Sequence, residues 1–302
     1  MTITEKPLKE FKNKLKFDTL DYPQCACGEC PRMFFNLLSI ASRQSGKTYN
    51  ICKLVSHYEN HKLVKEKDGT THPLRTFLIS PTTDANPIYQ SLKTLSPEDI
   101  YEEYSDDILV SIIDDIKQKK EETDKFKEYV DAFKLLEKTP EKDLPKLYER
   151  NPEVFKILER EDYANPNEIE QPTYYEYPVN IIILDDLLGS SAFTQKLQSR
   201  LTNAVIKNRH LGIVFAILVQ ALKSVPKNIR LNCSVFFLGK FANKKIILED
   251  LYEEVSNVLK QDEFDELYTH ATDQQYGSLI IDCSGKAKRF FKGLDFELNL
   301  EK

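Results

Sequence analysis

Six short, nearly unbroken apolar runs punctuate the chain: residues 34–41 (FFNLLSIA), 76–80 (TFLIS), 180–184 (NIIIL), 212–219 (GIVFAILV), 234–238 (SVFFL) and 278–281 (SLII). Runs this short, rich in β-branched and aromatic residues and lacking polar alternation, suit strands covered on both faces. The segments between them carry helical spacing instead. Phe193, Leu197, Leu201 and Val205 recur every fourth residue behind Ser190 and Ser191, which predicts a helix capped by those serines. Strands alternating with helices predict an α/β fold with a largely parallel sheet.

One stretch departs from this pattern. Residues 97–172 are dense in Glu, Asp and Lys, with apolar positions at helical intervals (Ile108, Ile112, Ile116; Tyr129, Phe133, Leu136) and breaks at Pro140, Pro145, Pro152 and Pro166. This reads as a charged helical insertion. It divides the chain into an N-terminal extension (1–33), a first core part (34–96), the insertion (97–172) and a second core part (173–302). Between positions 98 and 170 there are 23 acidic and 12 basic residues, so this stretch carries −11 and, with −6 for the whole chain, the remainder carries +5. The plain reading of that charge is a solvated face; the sharper one is an acidic partner-docking surface.

Composition narrows the classes. With 302 residues, 41% of them apolar, the chain is long enough for a core and excludes wholesale disorder. No repeat of fixed period points to a solenoid, and the acidic balance argues against a generally basic nucleic-acid coat. No window approaches the ~18 apolar residues needed to cross a bilayer. The lysine-bearing start, MTITEKPLKEFKNKLK, lacks the apolar stretch of a secretory signal. The expectation is a protein of a reducing compartment, without a membrane segment, whose six cysteines are free thiols or metal ligands.

The first apolar run leads into Ala41-Ser42-Arg43-Gln44-Ser45-Gly46-Lys47-Thr48 and then a helical segment. Strand, loop and helix N-terminus in that order form a phosphate cradle. Backbone N–H groups from Ser42 to Thr48 would wrap the β-phosphate of ATP, with Gly46 permitting the close turn. Lys47 would reach the β- and γ-phosphates, and the Thr48 hydroxyl would ligate Mg2+. Ala41 replaces the first glycine of the usual pattern, a position that tolerates alanine at negative φ.

A second half of such a site follows at 180–186, where a buried strand ends in Asp185 and Asp186. Asp185 is the candidate for the Mg2+ shell and Asp186 for orienting or deprotonating the attacking water. Gln220 ends the most apolar run, where an amide between the two strands could sense the γ-phosphate. Arg209 precedes that run at its other end, far from its own nucleotide, which suits an arginine finger reaching a neighbour's site; Arg230 is the rival. For each of these the bland alternative is a solvated strand-end or surface residue.

In their order and spacing, these motifs resemble the genome-packaging ATPases of large DNA viruses and virophages, within the FtsK/HerA group of P-loop translocases. The residues that carry the resemblance are Ser45-Gly46-Lys47-Thr48, the strand ending Asp185-Asp186 and the Asn208-Arg209-His210 turn before Gly212. Gln220, residues 225–232 (VPKNIRLN) and the late segment from Ala271-Thr272 to Asp282 complete the set. It implies a RecA-like core and a homo-oligomeric ring. It also implies double-stranded DNA as the moved partner, capsid or portal-like vertex proteins as neighbours, and residence in the host cytoplasm, a viral factory or the virion. The alternative is a nucleotide-gated assembly factor that switches protein partners without moving DNA.

Cys25, Cys27 and Cys30 form C-x-C-x-x-C with no matching second pair, which favours unmetallated thiols over half of a zinc site completed by Cys52, His57 or His61. Cys233 and Cys283 read as small core residues. Candidate DNA contacts are Lys223 and Lys227, then Lys286, Lys288, Arg289 and Lys292, and the N-terminal lysines, each with the bland alternative of a solubilising charge.

Overall fold

The six apolar runs all become strands of one sheet. The computed structural model describes residues 24–25, 30–61, 64–65, 69–83, 86–187, 189–193, 199–241, 243, 247–257 and 259–300. Among them, β1 (Gln24–Cys25) and β3 (Val64–Lys65) pair as a small antiparallel ladder. The main sheet contains β2 (Asn36–Ile40), β4 (Leu74–Ile79), β5 (Leu95–Tyr101), β6 (Val179–Asp185), β7 (Ile213–Val219), β8 (Val235–Gly239), β9 (Ser278–Asp282), β10 (Arg289–Lys292) and β11 (Phe296–Leu298). Its order is β11-β10-β9-β8-β2-β7-β6-β4-β5. From β8 to β5 every neighbouring pair is parallel, while β9, β10 and β11 add an antiparallel extension beyond β8.

Continuous apolarity in the central strands has a plain cause: both faces of the sheet are covered, so alternate side chains feed different cores. In β7, Ile213, Phe215, Ile217 and Val219 enter one core and Val214, Ala216 and Leu218 the other. The second core is completed by α1 (Lys47–His61), through Ile51, Leu54, Val55 and Tyr58. The first is completed by α5 (Arg200–Ile206) and by the start of α2 (Asp106–Lys138), and α6 (Asn208–Leu211) and α7 (Lys227–Arg230) are single turns at strand ends.

The expected helix after Ser190 and Ser191 is placed differently. Ser191–Phe193 forms only a 3-10 turn, and the helix carrying Leu201 and Val205 starts at Arg200, capped by Ser199, whose Oγ accepts from Thr202 N at 3.1 Å. Leu197 lies outside the described residues.

An insertion starting at 97 would cut through β5, a strand of the main sheet. The reason β5 looks like surface is its composition, LSPEDIY. Asp99 is nevertheless buried, because Arg75 of β4 donates to both of its carboxylate oxygens, at 2.8 and 2.9 Å, and also bonds Asp115 of α2. The 33-residue α2 is shared between two packings. Leu109, Ile112 and Ile116 belong to the main core, whereas Tyr129 and Ala132 meet Leu158 of α4 (Pro152–Glu159) in a small separate core. Ser105 caps α2, its Oγ accepting from Ile108 N at 3.1 Å. Pro140 precedes the next turn and α3 (Leu144–Arg150) has Pro145 in its first turn, as Pro152 opens α4.

No helix among the described residues is long and apolar enough to cross a membrane.

Candidate functional site

β2 and β7 run side by side, with Ile40 opposite Val219, and the chain leaves both at the same edge of the sheet. The loop 41–46 departs there from β2 and enters α1, whose first turn is tied down by Asn50 N donating to Gly46 O at 2.9 Å. Gln44 and Gly46 both have positive φ, +59° and +81°, which folds the loop back over its own strand. Ser42 and Ser45 anchor it to the end of β8: Ser42 Oγ donates to Lys240 O at 2.8 Å, and Ser45 Oγ reaches the same carbonyl at 3.3 Å.

Ala41, the position where the usual motif has glycine, is compensated from the neighbouring strand. A Cβ on Gly239 of β8 would lie 2.5 Å from the Ala41 Cβ. The absence of a side chain at Gly239 leaves the space that the Ala41 methyl group occupies.

Lys47 lies beneath the loop, its Nζ donating to the carbonyls of Ala41 and Ser42 at 2.9 and 3.0 Å. An ammonium has three donors, so one remains for a ligand. Burial lowers the Lys47 pKa, opposed by Asp185 and Asp186. An anion arriving at the loop restores the balance.

β6 lies on the far side of β7 and delivers the two aspartates to the same edge. Asp185 is buried, and its Oδ2 accepts from Thr48 Oγ1 at 3.1 Å and from Tyr89 OH at 2.6 Å. Burial raises the Asp185 pKa, opposed by Tyr89, Thr48 and Lys47. Asp186 takes a positive φ of +54°, and its Oδ1 accepts from Gln220 Nε2 at 2.9 Å. The structure therefore brings together Lys47, Thr48, Asp185, Asp186 and Gln220, contributed by the ends of two adjacent strands, β6 and β7, and one helix N-terminus. Arg43 and Gln44 sit exposed on the loop crest.

A hydroxyl and a carboxylate oxygen 3.1 Å apart are hard donors of the kind Mg2+ takes. The desolvated Asp185 carboxylate is the group such a cation would stabilise.

The parallel sheet covered on both faces, with a glycine-bearing loop between β2 and α1 at its edge, has the layout of an α/β phosphate-binding fold. Among solved structures, the chain is similar to the genome packaging NTPase B204 from Sulfolobus turreted icosahedral virus 2 in complex with AMP. The identity is 11% and the TM-score 0.44, over 85% of this chain and 96% of that one. It is also similar to EssC (ATPases 2 and 3) from Geobacillus thermodenitrificans, at 13% identity and a TM-score of 0.40 over 86% and 42% of the two chains. A third is the cytoplasmic domain of the Thermomonospora curvata type VII secretion ATPase EccC, at 12% and 0.42 over 96% and 30%. No family model and no curated protein matches the chain. Likenesses this distant say nothing of substrate or partner.

The remaining candidates separate. Arg209, on α6, is exposed at the sheet edge opposite the P-loop and makes no ion pair among the described residues. Arg230 is committed elsewhere: its guanidinium is ion-paired with Glu254 of α8 (Tyr252–Val255), both side chains about 15% exposed or less, and its Nε donates to Val225 O at 3.0 Å. Of the candidate DNA contacts, Lys223 pairs with Asp250 and Lys292 with Asp273, each near 2.9 Å. Lys288 donates to Asn257 O, and Arg289 bonds buried Asp282 and Cys30 O from β10. Lys227 and Lys286 are exposed. The N-terminal lysines lie outside the described residues, as do the side chains of Cys25, Cys27 and His61.

No cluster of three metal-binding side chains occurs among the described residues. Burial, then Asp185 and Glu59, push the Cys52 thiol up to about 12. Cys233 and Cys283 flank β8 and β9 rather than sitting within them, partly buried against the core.

Sequence reasoning did not single out Tyr89. It sits on a short turn at Pro87–Ser91, 96 residues before its partner Asp185, and no motif marks it.

Proposed function

We propose that this chain is a Mg-ATP-hydrolysing motor that moves double-stranded DNA into a preformed viral capsid, working as a ring of identical subunits. The observation that carries the ATPase reading is the convergence of Lys47, Thr48 and Asp185 with the hydrogen-bonded Asp186–Gln220 pair at one edge of the sheet. The ordered set of motifs along the sequence carries the motor reading.

Residue by residue, the chemistry follows. The backbone amides of 42–48 hold the β-phosphate, and the Lys47 ammonium exchanges its contacts with the Ala41 and Ser42 carbonyls for β- and γ-phosphate oxygens. Thr48 and Asp185 would hold Mg2+, which supplies charge neutralisation at those oxygens. Tyr89 keeps the Asp185 carboxylate turned toward Thr48. Gln220 fixes the carboxylate of Asp186, which orients the attacking water and takes its proton as the new bond to phosphorus forms and the bond to the bridging oxygen of ADP breaks. Arg209, remote from its own loop, would complete the site of the adjacent subunit.

The test is the ATPase rate of the full chain with and without double-stranded DNA, across a salt series. The motor predicts stimulation that fades as salt rises, because phosphate contacts release counterions. Hydrolysis indifferent to DNA at every salt concentration leaves the assembly-factor reading in its place.

A further inference from the structure

The three side chains that face a γ-phosphate, Asp185, Asp186 and Gln220, all lie on the β7–β6 side of β2. A triphosphate held along the loop therefore directs its nucleoside toward the opposite flank, where β8 ends and β9 begins. β9 is antiparallel to β8, with Ser278 opposite Gly239, so the residues just before β9 arrive at the same edge as the P-loop.

The residue delivered there is Tyr276. Its Cβ lies 3.0 Å, and its Cγ and Cδ1 3.5 Å, from where a Cβ on Gly46 would stand. Tyr276 as a whole is 52% exposed, although its side chain packs directly on the phosphate loop, and the side chain makes no hydrogen bond or ring contact among the described residues. Its backbone has φ +64°, a conformation uncommon for a bulky residue. The surrounding turn holds it there. A Cβ on Gly277 would come 2.6 Å from Ala271 O, Gly277 N donates to Gln274 O at 3.2 Å, and Asn50 of α1 donates to Ser278 Oγ at 3.3 Å, tying the turn to the loop's own helix. An exposed aromatic kept in a costly conformation points to use at a site.

We infer that Tyr276 is the platform on which the nucleobase of the bound nucleoside triphosphate stacks. This rests on the P-loop reading above. Stacking through a ring face accepts any base and favours the larger face of a purine, so the substrate class is purine nucleoside triphosphates.

Calorimetric titration of the full chain with Mg-ATP and with Mg-tripolyphosphate, which has the phosphates but no base, tests it in four proteins: wild type, Tyr276→Phe, Tyr276→Asn and Lys47→Ala. Asparagine tolerates positive φ, so Tyr276→Asn removes the ring while sparing the turn. The expected result is ATP affinity weakened about tenfold or more in Tyr276→Asn, tripolyphosphate affinity within about twofold of wild type, and both retained in Tyr276→Phe. Equal loss of both ligands in Tyr276→Asn, or loss of neither, overturns the platform. Lys47→Ala separates the two readings: it loses both ligands if the P-loop reading holds, and unimpaired tripolyphosphate binding there would overturn that reading and the platform built on it.

Discussion

Charge is handled in opposite ways at the sheet edge that carries the 41–46 loop and in the helical arm of α2–α4. Around the sheet, charged groups are buried and fixed by partners on other elements: Asp185 by Tyr89 and Thr48, Asp99 by Arg75, Asp282 by Arg289 of the neighbouring strand. Along the arm, Lys117–Asp114, Lys146–Asp143 and Lys156–Glu153 pair within a single helical turn and remain in water. A desolvated charge without its partner is costly, whereas a hydrated one hardly notices the loss. High charge density in the arm therefore marks a solvated face, and the few charges at the sheet edge are those the proposed chemistry uses.

The sharpest way to break this contrast is at Lys47. Lys47→Ala removes the partly buried cation of the loop, and hydrolysis should fall below about one-hundredth of the wild-type rate, measured as phosphate release. Retention of most of the rate would place the chemistry elsewhere. Asp186→Asn is the next largest. It keeps the shape facing Gln220 but removes the proton acceptor, so turnover should drop about a hundredfold while Mg-ATP affinity stays within about threefold. An equal fall in affinity would instead assign Asp186 to holding the metal.

These two positions were legible in the sequence because each follows an apolar strand and sits in a known local pattern, Gly46-Lys47-Thr48 and Asp185-Asp186. Gln220 was legible for the same reason, and the strand order β2-β7-β6 puts it between the two halves. What local pattern could not reveal were contacts made by topology. β5 hides behind a polar sequence because one of its acids, Asp99, is neutralised by an arginine 24 residues earlier. β10 hides because its half-exposed strand carries Arg289 and Lys292, which read as free cations until Asp282 and Asp273 are seen beside them. Tyr89 and Tyr276 belong to turns whose importance comes from what they approach. The same holds for Gly239, a strand-end glycine without a motif.

Gly239 offers a smaller and more specific test, on stability. Gly239→Ala puts a methyl group 2.5 Å from the Ala41 Cβ, and this overpacking should cost about 1–3 kcal/mol in denaturant unfolding. The contact next in distance, to Ser45, is an ordinary 3.7 Å, so Ala41→Gly should recover most of the loss in the double variant. Coupling of that kind is what a double-mutant cycle reads. Additive losses would mean that the close approach of Gly239 to Ala41 is incidental.

The smallest effect belongs to the arm. Lys117, Lys146 and Lys156 are each at least 60% exposed and bond only to an acid three residues before, so exchanging all three for glutamine removes three hydrated pairs. None of the three belongs to the small core of Tyr129, Ala132 and Leu158, or to the residues by which α2 meets the main sheet. The triple variant should unfold within about 1 °C of wild type and hydrolyse ATP at an unchanged basal rate. An arm whose charges act only through hydration has no other response available. A loss of DNA-stimulated turnover in the triple variant, with basal hydrolysis intact, would convert the solvated face into a working surface and remove the contrast between the two regions.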